Sequence, residues 1–150
     1  MSKRGFIPSR HYPVYLFVAA VVFLAITAIN PPHPYDFIYE HIMTVVFLIL
    51  LAVTYKRFRL SNVSYTMIFA FMLLHIIGAR FTYSEVPYND FFISLFGFNV
   101  DSFFGFARNN FDRLVHFSFG LLFAYPLREI FWRIGSVRGI WGYYFPIDFV

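Results

Sequence analysis

The chain has 150 residues, of which 59% are hydrophobic, 24% aromatic and 13% charged, with a net charge of +4 and no cysteine. Soluble domains average roughly 45–50% apolar and about 25% charged residues, so an ordinary soluble fold is excluded, and the mean hydropathy of +0.63 agrees. The basic excess sits in short clusters between apolar blocks, which reads as membrane topology rather than a nucleic-acid surface, and without cysteine there is no disulfide or thiolate chemistry.

Residues 1–12 are basic, with Lys3, Arg4 and Arg10, and an apolar run follows over 13–29. That run exceeds the about 7–15 residues of a secretory signal's apolar region, so it predicts an uncleaved first span close to the ~20 residues needed to cross a bilayer. Pro31, Pro32 and Pro34 end it by removing amide donors and fixing the backbone. A second span is predicted over 37–55, opened by Asp36 and closed by Lys56, Arg57 and Arg59. Ser61 or Asn62 caps a third over 63–79, where Gly78-Ala79-Arg80 is a helix stop. The connection from 80 to 111 carries nine phenylalanines, and its run 90–98 suits an interfacial or re-entrant helix, being too short to span. The fourth span is predicted over 114–134, with Pro126 inside it, and 139–150 is too short to cross. This last piece is expected as a truncated fifth helix that packs on the fourth span or pairs with another chain. The fold class is therefore an all-α, polytopic helix bundle in one membrane domain.

Positive clusters at 3–10, 56–59 and 128–138 place the N-terminus and the 56–59 loop in the cytoplasm. Alternation then brings the start of span two, the end of span three and the start of span four to one outer surface. Glu40, His41, His75, Arg80, Asp112, Arg113 and His116 converge there, a turn or two below it. Asp112 and His116 are spaced i, i+4, so the carboxylate is expected to reach an imidazole nitrogen, with Asn109 or Asn110 as N-cap. His75, Asp112 and His116 are the candidates for chemistry: a carboxylate orienting an imidazole for proton transfer, or a metal ligand with its supporting acid. Glu40, His41, Arg80 and Arg113 are binding candidates, with Arg80 or Arg113 expected to balance the Asp112 charge. The competing reading is a set of interhelical hydrogen bonds and ion pairs that only hold the bundle together. Metal binding is disfavoured, because no two ligands share the i, i+3/i+4 pairing of a strong signature. Arg128-Glu129 reads as local pairing and a cytoplasmic anchor, and Tyr83, Tyr88 and Tyr125 read as interfacial-belt residues. Fingerprints of the common serine hydrolases, nucleotide triphosphatases, zinc peptidases and dinucleotide-binding enzymes are absent.

The run Leu74-His75-Ile76-Ile77-Gly78-Ala79-Arg80-Phe81-Thr82-Tyr83-Ser84-Glu85-Val86-Pro87 resembles a hallmark of the YjdF-type bacterial inner-membrane proteins, a family of unknown function. Asn109 through Gly120, and then Arg128-Glu129, resemble its second hallmark in the same order and at similar separation. The resemblance covers about the last half of the chain, and implies a multi-span bacterial inner-membrane protein without an established reaction. Two departures stand out. Asn110 and Phe111 replace a histidine and tyrosine that often precede the Asp-Arg pair, which speaks against a ligand there. The family also continues beyond a segment like Gly142-Tyr143-Tyr144-Phe145-Pro146 into an acid-rich portion; if that portion supplies half of a polar site, this chain is incomplete.

Three functions fit these residues: a membrane-embedded enzyme or binding protein, a transporter subunit, and a structural or assembly protein. The bilayer is the expected partner, with a second copy or another membrane protein left open. The residues assign no cofactor.

Overall fold

The computed structural model describes residues 11–135, and every regular element among them is a helix. In chain order these are α1 (Tyr12–Thr27), α2 (Pro34–Thr54), α3 (Asn62–Arg80), α4 (Tyr88–Phe96), α5 (Val100–Phe104) and α6 (Phe111–Ile134). The basic cluster at 3–10 and the truncated helix expected over 139–150 lie outside the described residues, as does Arg138.

Local chemistry explains the boundaries. Pro13 occupies the first turn of α1, where its missing N–H costs nothing. Asn30 takes a left-handed φ of 48° ahead of the prolines, and α1 stops at Thr27, short of the expected residue 29. Pro34 opens α2 rather than merely breaking α1, which moves its start three residues before 37. Ser61 caps α3, its hydroxyl accepting the Ser64 N–H at 3.2 Å. α4 and α5, of 9 and 5 residues, end on Gly97 and Gly105 at φ of 73° and 69°, a backbone state open to glycine. Asn110 flanks α6 without a side-chain cap, whereas Asn109 Oδ1 accepts the Phe111 N–H at 3.0 Å. Pro126 lies fully buried inside a continuous α6.

α2, α3 and α6 are long and apolar enough to cross a membrane, and α1 is a shorter apolar helix of 16 residues. α3 is the central element, packed against α1, α2 and α6. Its core face carries Ile68, Met72, Ile76 and Ala79, the last two with no exposed surface. Much of the apolar surface of α1 and α2 points outward, including Val18, Val22, Val46 and Ile49, as a lipid-facing surface requires.

Contacts at both ends tie the helices into an alternating up–down order. At one end Tyr12 and Thr66 share a 2.8 Å hydroxyl bond, Glu129 of α6 meets Ser61, and Arg133 donates to the Arg59 carbonyl. At the other, Arg80 reaches carbonyls of Thr27, Ile29 and Asn30, and His33 lies 2.8 Å from Glu85.

Candidate functional site

A compact polar cluster lies where α2 meets the last turns of α3. Thr44 and His41 on α2 are one turn apart and both buried, so they share the face that packs on α3. His75 uses both ring nitrogens: Nε2 is 2.8 Å from the Thr44 hydroxyl and Nδ1 is 2.8 Å from the Tyr83 phenol. The His41 ring stacks on Phe37 at 4.0 Å and lies 6.3 Å from the His75 ring, centroid to centroid.

Tyr83 follows α3 in sequence yet folds back over it. Thr82 and Tyr83 hold φ of 51° and 58°, and the Tyr83 N–H donates to the Gly78 carbonyl at 2.7 Å. Two consecutive non-glycine residues in this region carry strain of about 1–3 kcal/mol each, a pattern that concentrates at functional sites. The turn lays the phenol against Gly78, where a side chain would block it. Burial, and after it the charge and hydrogen bonding of Glu40, pushes the Tyr83 hydroxyl far above its ordinary pKa. Tyr83 therefore stays a neutral phenol at any physiological pH.

His75 lies between two hydroxyls, Tyr83 at Nδ1 and Thr44 at Nε2, so as a neutral imidazole it donates through one nitrogen and accepts through the other. His41 donates Nδ1–H to the Phe37 carbonyl at 2.8 Å, which leaves its Nε2 as an acceptor. That Nε2 is buried and has no partner. A buried acceptor without a donor costs about 1–3 kcal/mol, so it suits a ligand group that donates. Thr44, His75 and Tyr83 thus form a continuous hydrogen-bonded chain between α2 and the turn after α3.

The other expected site residues lie elsewhere. The Asp112 carboxylate does not engage the imidazole: His116 Nδ1–H donates instead to the Asp112 backbone carbonyl at 2.7 Å. Arg108, four residues before Asp112, takes the carboxylate at 3.1 Å, and the Arg113 N–H takes its other oxygen at 2.8 Å. These nearer donors win the carboxylate, and His116 is left on an exposed face of α6. Arg80 does not balance Asp112 either. Its guanidinium covers the free carbonyls at the end of α1, where a cation is favoured. Of the seven candidates, Glu40, His41 and His75 come together, while Arg80, Asp112, Arg113 and His116 do not join them. No three His, Asp or Glu side chains among the described residues are grouped to hold a metal ion.

Glu129 exceeds its expected role as a local anchor. It is 8% exposed, pairs with Arg133 one turn on, and reaches α3 to accept the Ser61 N–H at 2.8 Å, the Ser61 hydroxyl at 2.9 Å and the Ser64 hydroxyl. Its place in the second sequence hallmark was the available signal. Thr44 carried no such signal, and Tyr83 lay inside the first hallmark.

Apolar helices long enough to span, enclosing a polar cluster near one end, define a polytopic helical membrane protein. The chain belongs to the family described as "Predicted membrane protein (DUF2238)", which it matches over residues 12–150. It is 38% identical over 90 residues to "Inner membrane protein YjdF" of Escherichia coli (strain K12), a stretch that is 60% of this chain and 39% of that protein. The chain thus spans well under half the length of this curated relative. No solved structure matches it. The YjdF-type resemblance read from residues 74–87 and 109–129 is thereby shown.

Proposed function

We propose that this is a four-span protein of the bacterial inner membrane, with a cytoplasmic N-terminus, acting as a membrane-embedded enzyme or binding protein. Its site is the Glu40–His41–Thr44–His75–Tyr83 cluster near the extracytoplasmic face. α1 serves as the fourth span because its two ends meet the same ends of α3. Orientation rests on charge. Lys56, Arg57, Arg59, Arg128 and Arg133 gather at one end against Glu129, whereas the other end carries Arg80, Arg108 and Arg113 among Asp36, Glu40, Glu85, Asp90, Asp101 and Asp112. Reporter fusions at Arg59 and Asp101 should therefore give cytoplasmic and extracytoplasmic signals respectively; equal signals would remove the orientation.

The single observation behind the site is the unpartnered, buried His41 Nε2 inside an otherwise satisfied network. A purely structural set of bonds accounts for Arg80 and Glu129, but gives this nitrogen no task. A transporter would need polar groups through the middle of the bundle. There Ile68, Phe71, Met72 and Phe123 form an apolar plug between the His75 and Glu129 levels.

The test is ligand retention. Protein purified gently from membranes is extracted, and small molecules are compared by mass spectrometry among wild type, His41→Ala and Tyr83→Phe. A species kept by the wild type should fall about tenfold in His41→Ala, the effect of losing one buried hydrogen bond of about 1.4 kcal/mol. Retention that ignores both substitutions, in variants that melt like the wild type, would leave the cluster a structural bond set.

A further inference from the structure

A second feature lies beside that cluster. A groove of about 940 Å³ separates α4 and α5 from α3 and α6. Ligand sites typically occupy about 300–1,000 Å³. Leu74 and Ile77 form one wall, Leu114 and Phe117 the second, and Phe91 and Phe104 the third. Phe91, Phe104, Leu114 and Phe117 are 58%, 61%, 48% and 69% exposed, so no other described residue covers this apolar surface.

The groove is held open by polar pins. Asp101 accepts from the Tyr88 hydroxyl and, at 2.6 Å, from Asn89 Nδ2, while its own N–H donates to Asn89 Oδ1 at 3.2 Å. These bonds clamp α5 to α4. Tyr88 then fixes α4 to the start of α6, its oxygen accepting the Asn110 N–H at 3.1 Å, and Asn109 Nδ2 donates to the Val86 carbonyl at 2.8 Å. These bonds fix α4 and α5 at the rim, so the phenylalanines are kept off the bundle rather than collapsed onto it.

Charge identifies the occupant. Arg113 is the one charged residue among the described groove-lining side chains. Asp112 beside it is taken by Arg108, and the Arg113 guanidinium forms no ion pair or hydrogen bond with another described residue. Asn110 Oδ1, also at the rim, is buried and has no hydrogen-bond partner. A cation thus sits beside an apolar slot, at the end of a helix that runs into the bilayer. The slot's α6 wall, Leu114 and Phe117, is exposed apolar surface on a helix long enough to span, where hydrocarbon is the surrounding medium.

We propose that the groove seats one phospholipid with an anionic headgroup, its phosphate on Arg113 and an acyl chain between α4–α5 and α6. A membrane lipid, rather than a free phosphate, follows from the apolar walls, which a bare phosphate would leave unfilled. The site is separate from His41 and His75, and its occupancy does not depend on theirs.

The test uses the full chain in nanodiscs of mixed phosphatidylcholine and phosphatidylglycerol, followed by native mass spectrometry after progressive delipidation. Wild type should hold one phosphatidylglycerol after other lipids leave. Arg113→Ala should lose that preference by about tenfold, as expected for one charge-assisted contact. Ile77→Trp, which fills the wall and keeps the charge, should lose the bound lipid altogether, whereas His41→Ala should retain it. Equal retention of the two lipids by wild type, or an Arg113→Ala protein that binds phosphatidylglycerol as before, overturns the proposal. A dimer mass in place of the lipid adduct, abolished by Ile77→Trp, would overturn it in favour of a second copy of the chain.

Discussion

Replacing Glu129 by alanine is expected to destabilise the folded protein by about 2–4 kcal/mol, since it leaves buried hydrogen-bond donors short of an acceptor at about 1–3 kcal/mol each. The residue is 8% exposed, and four groups depend on its two oxygens: the Ser61 amide, the Ser61 and Ser64 hydroxyls, and the Arg133 guanidinium. Ser64 has no exposed surface, so its hydroxyl would lose its carboxylate acceptor and keep only the Ser61 hydroxyl at 3.2 Å. The carboxylate also sits at the start of α3, where a negative charge is favoured by the helix dipole.

The ordering of variants separates charge from shape. Glu129→Gln keeps one oxygen but turns an amide donor toward groups that are themselves donors, so it should fall between wild type and Glu129→Ala. Ser64→Ala removes only one neutral bond, about 1 kcal/mol. Melting curves in a single detergent test this, since all comparisons are then differences. An alanine variant that melts with the wild type would mean that α3 is held by its apolar face alone.

This interaction explains why sequence reading went only part of the way. An apolar run bounded by proline, glycine or a cap determines a span almost alone, so 63–79 is close to the observed Asn62–Arg80. The start of α6 at Phe111 agrees with Asn110 as N-cap but precedes the apolar run that begins at 114, because Asp112 and Arg113 are polar residues tolerated in a helix's first turn. α5 is five residues long, too few to show a period. The pairing of His41 with His75 was legible, because two helix ends of known direction carry them at one depth. Partner choice was not. The i, i+4 spacing of Asp112 and His116 does produce a bond, but competition from Arg108 and the Arg113 amide decides which oxygen is used. Glu129 is bonded to a residue 68 positions earlier, and Tyr83 returns through two positive φ angles at non-glycine residues. Neither a long-range bond nor a turn of that kind leaves a periodic trace.

That same turn makes Gly78 the second position with a large expected effect. In an open helix, glycine to alanine stabilises by roughly 0.5–1 kcal/mol. At Gly78 the sign should reverse, because an added Cβ would lie 2.6 Å from Tyr83 Cε1, closer still to Cδ1, and 3.3 Å from Phe111 Cε1. The ring cannot simply swing aside: the Tyr83 amide is bonded to the Gly78 carbonyl at 2.7 Å, and its hydroxyl to His75 at 2.8 Å. Gly78→Ala is therefore expected to cost about 1–3 kcal/mol, the usual range for an overpacked contact, and to break the Tyr83–His75 bond. A double-mutant cycle isolates the cause. With Tyr83→Ala in the background the Cβ meets no phenol, so Gly78→Ala should become neutral or mildly stabilising, a coupling above about 1 kcal/mol between touching residues. The ligand retained through His41 should drop in Gly78→Ala as it does in Tyr83→Phe, because both remove the phenol from His75. If alanine is equally harmful with and without Tyr83, the obstruction lies at Phe111, and the close approach of Tyr83 to α3 is not what glycine at this position serves.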